Sequence, residues 1–350
     1  QPFTKSKRLM HINLKTKDMK VIMKNAYVVL AILLLISTTT SCAAFSKRIK
    51  ASSTYITKDI KVSDFDAIKL MGSPTLIFNQ STDGKTKVQV YGSDNLVDLL
   101  NIRVANNTLI VHFKPDVNIS YNGNTRLKVL VSSPMLKDVL LQGSGDIVLK
   151  GAIQSNSLNL SLQGSGDIKS NGNIECSSAF NAALNGSGDI ELEGNIYAQT
   201  SKISLNGSGD IKIGGIESAQ ASIALNGSGD VNIQKHCQAK TTAVALNGSG
   251  DVQIKGIGST TITASLQGSG DMELEGKTEN ANLKLQNSGN IDASNLVSNN
   301  TEASINGSGE INCHASNKLK ASVSGSGEIS CKGKPLMQEK LGKIKGIHIL

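Results

Sequence analysis

The tetrapeptide Gly-Ser-Gly-Asp, or a close variant of it, recurs ten times between residues 143 and 328. Its last position is an acid or an amide, and successive copies lie 18 to 22 residues apart. A nearly constant period of this size, held for ten copies, indicates a solenoid in which each repeat adds one turn. The acidic and amide positions are Asp146, Asp167, Asp189, Asp210, Asp230, Asp251, Asp271, Asn290, Glu310 and Glu328.

Apolar and polar residues alternate on both sides of each Gly-Ser-Gly. The first and third residues after the acid are mostly aliphatic, as in Ile211 and Ile213 or Val231 and Ile233, and the residue between them is usually polar. Alternation with period two predicts short strands with one buried face. Many repeats carry a further apolar residue, such as Ile216, after a glycine-containing bend, which indicates a third, shorter side.

Whole columns of the aligned repeats share one residue type, which favours a parallel coil over a meander. In a parallel coil each copy of a position lies about 4.8 Å above the previous copy. Glycine suits the corners because it takes positive φ and lets neighbouring backbones approach closely. The Asn or Gln before each corner predicts a ladder of stacked amides. We therefore predict an all-β, right-handed parallel β-helix of about ten turns over residues 141–335, with a C-terminal tail or cap at 336–350.

Residues 55–140 lack the repeat and predict an N-terminal cap of antiparallel strands. Alternating stretches at 75–78 and 87–91 flank Ser81-Thr82-Asp83-Gly84, a hairpin signal. A second pair, at 100–104 and 109–113, flanks Asn106-Asn107, whose residues tolerate positive φ. A solenoid needs such a cap because its open end exposes core side chains and unpaired strand edges.

The N-terminal 41 residues are interpreted as an upstream extension followed by a signal peptide at 23–41. Met23 and Lys24 precede an apolar run of eleven residues at 26–36, which is too short to span a bilayer. Cys42, between Ser41 and Ala43, resembles the lipidation site of bacterial lipoproteins and begins a linker at 42–54. The alternative is ordinary cleavage after Ala43 or Ala44. Lipidation and ordinary cleavage both predict an exported protein of the cell envelope. Lipidation of Cys42 additionally predicts an anchor in the outer membrane.

The formal net charge of +8 comes mainly from the segment that is predicted to be removed. Residues 1–41 hold seven basic residues and one acid, so the remainder has 29 basic against 27 acidic residues. A nucleic-acid partner therefore has no electrostatic basis. No cofactor-binding motif stands out, and we expect no cofactor.

Four cysteines lie in the repeat region. Cys176 and Cys237 are about three turns apart, which is too far for a disulfide. Cys313 and Cys331 occupy the same inward column on adjacent turns, where a bond is within reach. Because stacked residues have parallel Cβ vectors, two buried free thiols are the preferred interpretation.

Three segments together resemble a known family. Val62-Ser63-Asp64-Phe65-Asp66-Ala67-Ile68, then Ser133-Pro134-Met135-Leu136, then the Gly-Ser-Gly-Asp-Ile series look like the head GIN domain of auto-transporter adhesins, which is common in envelope lipoproteins of Bacteroidetes. The resemblance covers about residues 55–335. It implies an exported β-helical adhesin without established catalytic residues. The tail departs from the family pattern, because Gly342-Lys343-Ile344-Lys345 replaces a final glycine-serine turn.

The outward column of acids is the strongest candidate for a site. One interpretation is structural, with each carboxylate accepting hydrogen bonds from N–H groups or the serine of its own turn. The other is an edge that binds a divalent cation or another ligand. Neighbouring charges repel by only about 0.9 kcal/mol in water, so the column need not bind anything. The candidate edge consists of Asp146, Asp167, Asp189, Asp210, Asp230, Asp251, Asp271, Glu310 and Glu328.

The function predicted from the sequence is that of a non-catalytic envelope lipoprotein, an adhesin presenting a rigid surface to a glycan or to a host or envelope protein. The rival classes are a polysaccharide-active β-helix enzyme and a scaffold of an envelope complex. An enzyme site would need clustered carboxylates in distinct environments and usually aromatic platforms for sugars. The acids are uniform, tryptophan is absent, and the five histidines fall on no shared column.

Overall fold

The computed structural model describes residues 48–120 and 127–350, apart from the side chains of Asn118 and Ser120. The predicted signal peptide and Cys42 lie outside the described residues. Strands make up 72% of the structure and helix 2%, and the stacked parallel coils form a β-solenoid of about 11 turns. The predicted fold class is confirmed. Among the described residues, no helix has the length and apolar character needed to cross a bilayer.

The N-terminal part of the solenoid is built from nine strands and one short helix. They are β1 (Arg48–Lys50), β2 (Tyr55–Ile60), β3 (Ala67–Gly72), β4 (Thr75–Gln80), β5 (Lys87–Ser93), α1 (Asp94–Val97), β6 (Leu100–Ala105), β7 (Thr108–Phe113), β8 (Asn118–Ser120) and β9 (Lys128–Ser133).

The repeats form the strands that follow, and a 3-10 turn at Ile344–Gly346 separates the last two. They are β10 (Asp138–Gly143), β11 (Ile147–Lys150), β12 (Ile153–Gly164), β13 (Ile168–Ser170), β14 (Ile174–Leu184), β15 (Ile190–Gly207), β16 (Ile211–Gly227), β17 (Val231–Gly248), β18 (Val252–Gly268), β19 (Asp271–Asn287), β20 (Asn290–Asp292), β21 (Leu296–Gly307), β22 (Glu310–His314), β23 (Lys318–Gly325), β24 (Glu328–Lys332), β25 (Met337–Gly342) and β26 (Ile347–Ile349).

Parallel register between turns places the predicted apolar columns inside. Ile190, Ile211, Val231, Val252 and Met272 stand opposite one another on five successive turns. Each of these side chains is at most 1% exposed. The first column after the corner is therefore a continuous stack of aliphatic side chains, as the alternation predicts.

A third side of the coil is also confirmed. Ile196, Ile216, Cys237 and Ile257 pair in register from turn to turn and are at most 2% exposed. The register shifts just before this column on each turn, for example between Leu192 and Asn195. These irregular bends absorb part of the variation in repeat length.

The corner glycines are required because the backbones touch. A Cβ atom on Gly227, whose φ is 150°, would lie 2.1 Å from the carbonyl oxygen of Gly207 on the turn below. At the second glycine of the corner, a Cβ on Gly229 would lie 1.9 Å from the carbonyl oxygen of Gly209. Both distances are far inside van der Waals contact, so these two positions exclude a side chain. The first corner position does hold a side chain at Asn287, which stands opposite Gly268 with a φ of 81°.

The predicted amide ladder runs beside these corners. Asn206 donates through Nδ2 to Oδ1 of Asn185 at 3.0 Å, and Asn226 donates to Asn206 at 2.9 Å. Asn247 continues the chain by donating to Asn226 at 2.9 Å. Each amide thus links its own turn to the neighbouring one.

Antiparallel pairs lie in the N-terminal region, as predicted, but one predicted hairpin is wrong. β6 pairs with β7 around Asn106 and Asn107, which have φ values of 50° and 56°. β4 and β5, in contrast, do not form a hairpin around Gly84. β5 pairs with β2 and β9, while β4 pairs with β9 and β11, so both edges of each strand are occupied by other partners.

Two turns of the stack come from the region without the repeat. β3 and β4 lie parallel to β10 and β11, with the corner at Gly72-Ser73-Pro74. On their other side, β7 pairs in parallel with β3, and β9 pairs in parallel with β4. The order of turns along the axis is therefore 108–133, then 67–80, then 138–150, which differs from their order in the chain.

The C-terminal segment adds a final, irregular turn. β25 lies parallel to β23, and β26 lies parallel to β24. Gly342, with φ of 76°, stands opposite Val323 and not opposite the corner glycine Gly325, so this corner is longer than the others. The Gly342-Lys343-Ile344-Lys345 departure from the repeat thus produces a different corner.

Candidate functional site

The acidic column lies on the outside of the corner, where each carboxylate links two turns. Oδ1 of Asp210 accepts a hydrogen bond from the backbone N–H of Asp230 at 3.1 Å, and Oδ1 of Asp230 accepts one from the N–H of Asp251 at 3.0 Å. The same bond joins six consecutive pairs, from Asp146–Asp167 to Asp251–Asp271, at 2.8 to 3.2 Å. The structural interpretation is therefore corrected in one respect: the N–H group belongs to the next turn and not to the same turn.

At the last three positions of the column the backbone N–H has a different acceptor, and Asn290 also donates through Nδ2 to Oδ1 of Asp271 at 2.9 Å. The N–H groups of Asn290, Glu310 and Glu328 donate to carbonyl oxygens of glycines on the preceding turn, at 3.2 to 3.4 Å. A backbone acceptor replaces the carboxylate there. The side chain is free to change length, and Glu310 and Glu328 are exposed.

Charge compensation divides the column into two parts. Nζ of Lys169 lies 3.2 Å from Oδ2 of Asp167 and 3.2 Å from Oε2 of Glu191. The hydrogen bond to Asp167 has the larger effect and the bond to Glu191 the smaller one, and both raise the pKa of the Lys169 ammonium group. Lys212 lies 3.5 Å from Asp210. From Asp230 onward the carboxylates are exposed, and the adjacent outward column carries Asn232, Gln253 and Glu273.

Asp230, Asp251 and Asp271 line one concavity of about 380 Å³ together with Glu273. Among the residues that the structure describes, no group of three or more His, Cys, Asp or Glu side chains could hold a metal ion. One oxygen of each aspartate from Asp146 to Asp251 is already used between turns. Ligand or cation binding by Asp146, Asp167, Asp189, Asp210, Asp230, Asp251, Asp271, Glu310 and Glu328 stays a prediction.

The four described cysteines are free and buried. Cys313 and Cys331 stand opposite each other on adjacent turns, as predicted, without a bond between them. A hydrogen bond with the Cys331 thiol, together with burial, raises the pKa of Cys313. Burial raises the pKa values of Cys176 and Cys237 to about 11.

Burial should make these thiols unreactive in the folded protein. At pH 8 a thiol with a pKa near 11, as in Cys176 and Cys237, is ionised to only about one part in a thousand, and the thiolate is the nucleophile. The hydrogen bond with Cys313 lowers the pKa of the Cys331 thiol, but both of these side chains are at most 1% exposed, so a reagent cannot reach them. We expect negligible modification of Cys176, Cys237, Cys313 and Cys331 by iodoacetamide in the native state, and complete modification in guanidinium chloride. Mass spectrometry of both samples measures this. Rapid native labelling of Cys313 or Cys331 would contradict the buried arrangement.

A concavity that the sequence interpretation missed lies on the third side of the coil. Its lining includes Asn173, Glu175, Cys176 and Tyr197. The only sequence signal for it is the spacing of 22 residues between Asp167 and Asp189, the longest in the series. Of the histidines, His236 lies close to a carboxylate, with Nε2 3.3 Å from Oε1 of Glu217.

Comparison with solved structures finds similar chains from Bacteroides and Parabacteroides species. A "putative adhesin" from Bacteroides fragilis is 25% identical, with 86% of this chain and 98% of that chain covered and a TM-score of 0.30. A "putative lipid binding protein" from Parabacteroides distasonis is 23% identical, with 87% and 100% covered and a TM-score of 0.41. A "putative adhesin" from Parabacteroides merdae is 19% identical, with 87% and 99% covered and a TM-score of 0.37.

Comparison with curated proteins finds no significant match. One family model matches residues 64–243 and again 222–335, which together include the turns at 67–80 and 108–133 and the repeats. That family is described as "Putative auto-transporter adhesin, head GIN domain". Since the match extends over most of the sequence, the chain belongs to this head GIN domain family.

Proposed function

We propose that the protein is a non-catalytic adhesin of the cell envelope, exported by the segment at 23–41 and anchored to the outer membrane by a lipid on Cys42. Family membership supports the adhesin class. The observation that supports a binding rod most strongly is the series of hydrogen bonds by which six corner carboxylates join successive turns. A scaffold of this kind holds surface side chains at fixed spacings.

The hydrogen bonds that the corner aspartates accept support the non-catalytic part of the proposal. The aspartates from Asp146 to Asp251 each use one carboxylate oxygen to accept a hydrogen bond from the backbone of the next turn. Acid and base catalysis by two carboxylates needs a pair with different roles. The repeated bond gives all six of these aspartates the same role.

The test of this function is binding by the purified chain. A glycan array and a panel of immobilised matrix and envelope proteins should give at least one saturable interaction, while incubation with the same polysaccharides should release no reducing ends. Release of reducing ends would support the enzyme class. Recovery of a stable complex from solubilised membranes, without binding to any surface of another cell, would support the scaffold class.

The lipid anchor gives a separate prediction. Cys42→Ser removes the thiol that would carry the acyl chains, and stable anchoring requires such chains. In a host that processes lipoproteins, we expect the variant to lose incorporation of labelled palmitate and to move from the membrane fraction to the soluble fraction. Ser41→Ala is the matched control and should remain in the membrane. Unchanged fractionation of Cys42→Ser would contradict the anchor and favour cleavage after Ala43 or Ala44.

A further inference from the structure

The 22-residue turn is the local break in an otherwise regular rod. On the side of the turn below, Ser155 pairs with Cys176 but Ser157 pairs with Ala179, so the bulged turn has one residue more between the two pairs. Relative to the turn above, the register shifts again between Glu175 and Ala179. One extra residue on this turn is therefore accommodated at 176–178, as a β-bulge that disturbs the pairing on both sides.

The bulge opens a concavity of about 510 Å³ across three turns. It is lined by Gln154 on the lower turn, Asn173, Glu175, Cys176 and Ser177 on the bulged turn, and Tyr197 on the upper turn. Ligand sites in proteins occupy about 300–1,000 Å³ and combine an apolar surface with a few polar groups that fix orientation. The concavity has the size and the mixed lining of such a site.

Tyr197 is the single accessible aromatic ring of the repeats. Residues 143–335 contain two aromatic side chains, and the other, Phe180, is fully buried in the core. The hydroxyl of Tyr197 accepts a hydrogen bond from Nδ2 of Asn195 at 3.1 Å, which restrains the ring along its own strand. An aromatic ring on the surface of a β-helix offers flat contact area at a low cost in conformational entropy.

Polar groups with unused hydrogen-bonding capacity surround this ring. Oδ1 of Asn195 is buried and has no hydrogen-bond partner. Glu175 and Glu217 lie in register with Tyr197, one turn below and one turn above, at steps of about 4.8 Å. Oε2 of Glu175 accepts a bond from Gln154 at 3.2 Å, which leaves the other oxygen for a ligand.

The chemistry of the lining selects the class of ligand. Amide and carboxylate groups beside an aromatic face suit a ring that presents C–H bonds on one side and hydroxyl groups at its rim. The lining contains one carboxylate and neither lysine nor arginine, so it disfavours uronic and sialic acids. The lining contains no aliphatic side chain, so it offers no surface suited to an acyl chain.

We propose that the concavity beside Tyr197 binds a neutral pyranose of a glycan, with the sugar face against the Tyr197 ring and its hydroxyl groups on Glu175, Asn173 and Gln154. This site rests on the proposed adhesin function and specifies its ligand. It also assigns a role to the 22-residue turn, whose bulge lies beside this shallow concavity.

The experiment measures binding of neutral, uronic-acid and sialylated oligosaccharides to the purified chain on an array, followed by calorimetry with the best neutral one. Tyr197→Ala should weaken that affinity at least about tenfold because the stacking surface is lost. Tyr197→Phe keeps the ring and should remain within about threefold. Glu175→Gln should weaken binding less than Tyr197→Ala. Lys277→Ala, an exposed residue in the same outward column four turns above, is the control and should change nothing.

The possible outcomes distinguish failure of the proposed glycan site from failure of the proposed adhesin function on which it rests. Binding of a neutral glycan that survives Tyr197→Ala, or preference for acidic glycans, overturns the site and leaves the adhesin intact. Binding to matrix or envelope proteins without binding to any glycan does the same. Failure to bind glycans and proteins alike contradicts both proposals. Matching thermal unfolding midpoints of the variants ensure that a lost affinity reports the site and not the fold.

Discussion

Gly229→Ala is expected to lower the unfolding free energy by more than about 3 kcal/mol, because its Cβ has no room. The nearest atom, 1.9 Å away, is the carbonyl oxygen of Gly209, which belongs to a backbone and not to a flexible side chain. Relief would require the two turns to separate by more than an ångström, and that movement would break the N–H to carbonyl bond between Gly229 and Gly207, which measures 3.3 Å. Guanidinium unfolding followed by circular dichroism measures the loss.

Ser228→Ala is the matched control for this substitution. Ser228 lies between Gly227 and Gly229 in the same corner, and its side chain is exposed. We expect a change within about 0.5 kcal/mol, as for an ordinary surface position. Equal stability of Gly229→Ala and Ser228→Ala would show that the corners of neighbouring turns are not in contact.

Asp230→Ala is expected to cost about 1–3 kcal/mol, the penalty for leaving a backbone donor without its acceptor. The donor is the N–H of Asp251, which lies 3.0 Å from Oδ1 of Asp230. Asp230→Asn keeps an oxygen at the same place and should lose less than Asp230→Ala. Urea unfolding of the three proteins at pH 7 provides the comparison.

Glu310→Ala is the control for the acidic column, because the N–H of Glu328 on the next turn bonds to the carbonyl oxygen of Gly309 and not to the Glu310 carboxylate. Its loss should be within about 0.5 kcal/mol. If Glu310→Ala costs as much as Asp230→Ala, the carboxylates do not act as acceptors between turns. If neither costs anything while ligand binding is lost, the column serves recognition and not stability.

The core and the corners could be predicted from the sequence because their constraints repeat. Every turn places Ile211 or its equivalent in the same environment. The repeat length and the alternation of apolar and polar residues therefore indicate the buried positions in each of the ten copies. The partner of each aspartate could not be predicted, because spacing along the chain does not show whether Oδ1 of Asp210 faces its own turn or the next. Only the stacked backbone places the N–H of Asp230 within 3.1 Å of it.

The N-terminal turns and the concavity could not be predicted for a different reason. Gly72-Ser73-Pro74 lacks the second glycine and the acid, so the turn at 67–80 has no repeat signal, although it pairs in full register with β10 and β11. A spacing of 22 residues reveals one additional residue, but not that the bulge falls at 176–178, beside Tyr197. Each of these features occurs once in the chain, so no repeated sequence pattern indicates it.

The order of turns at the N-terminal end has a consequence for assembly. The strands at 67–80 lie between β7 and β9 on one side and β10 and β11 on the other, so both of their neighbours are synthesised later. The first stable unit must therefore bring together segments up to about 80 residues apart, and such long-range closure is slow. Every later turn needs only the one before it. Synthesis from the N-terminus thus imposes an initial delay, after which the rod can lengthen turn by turn as each segment emerges.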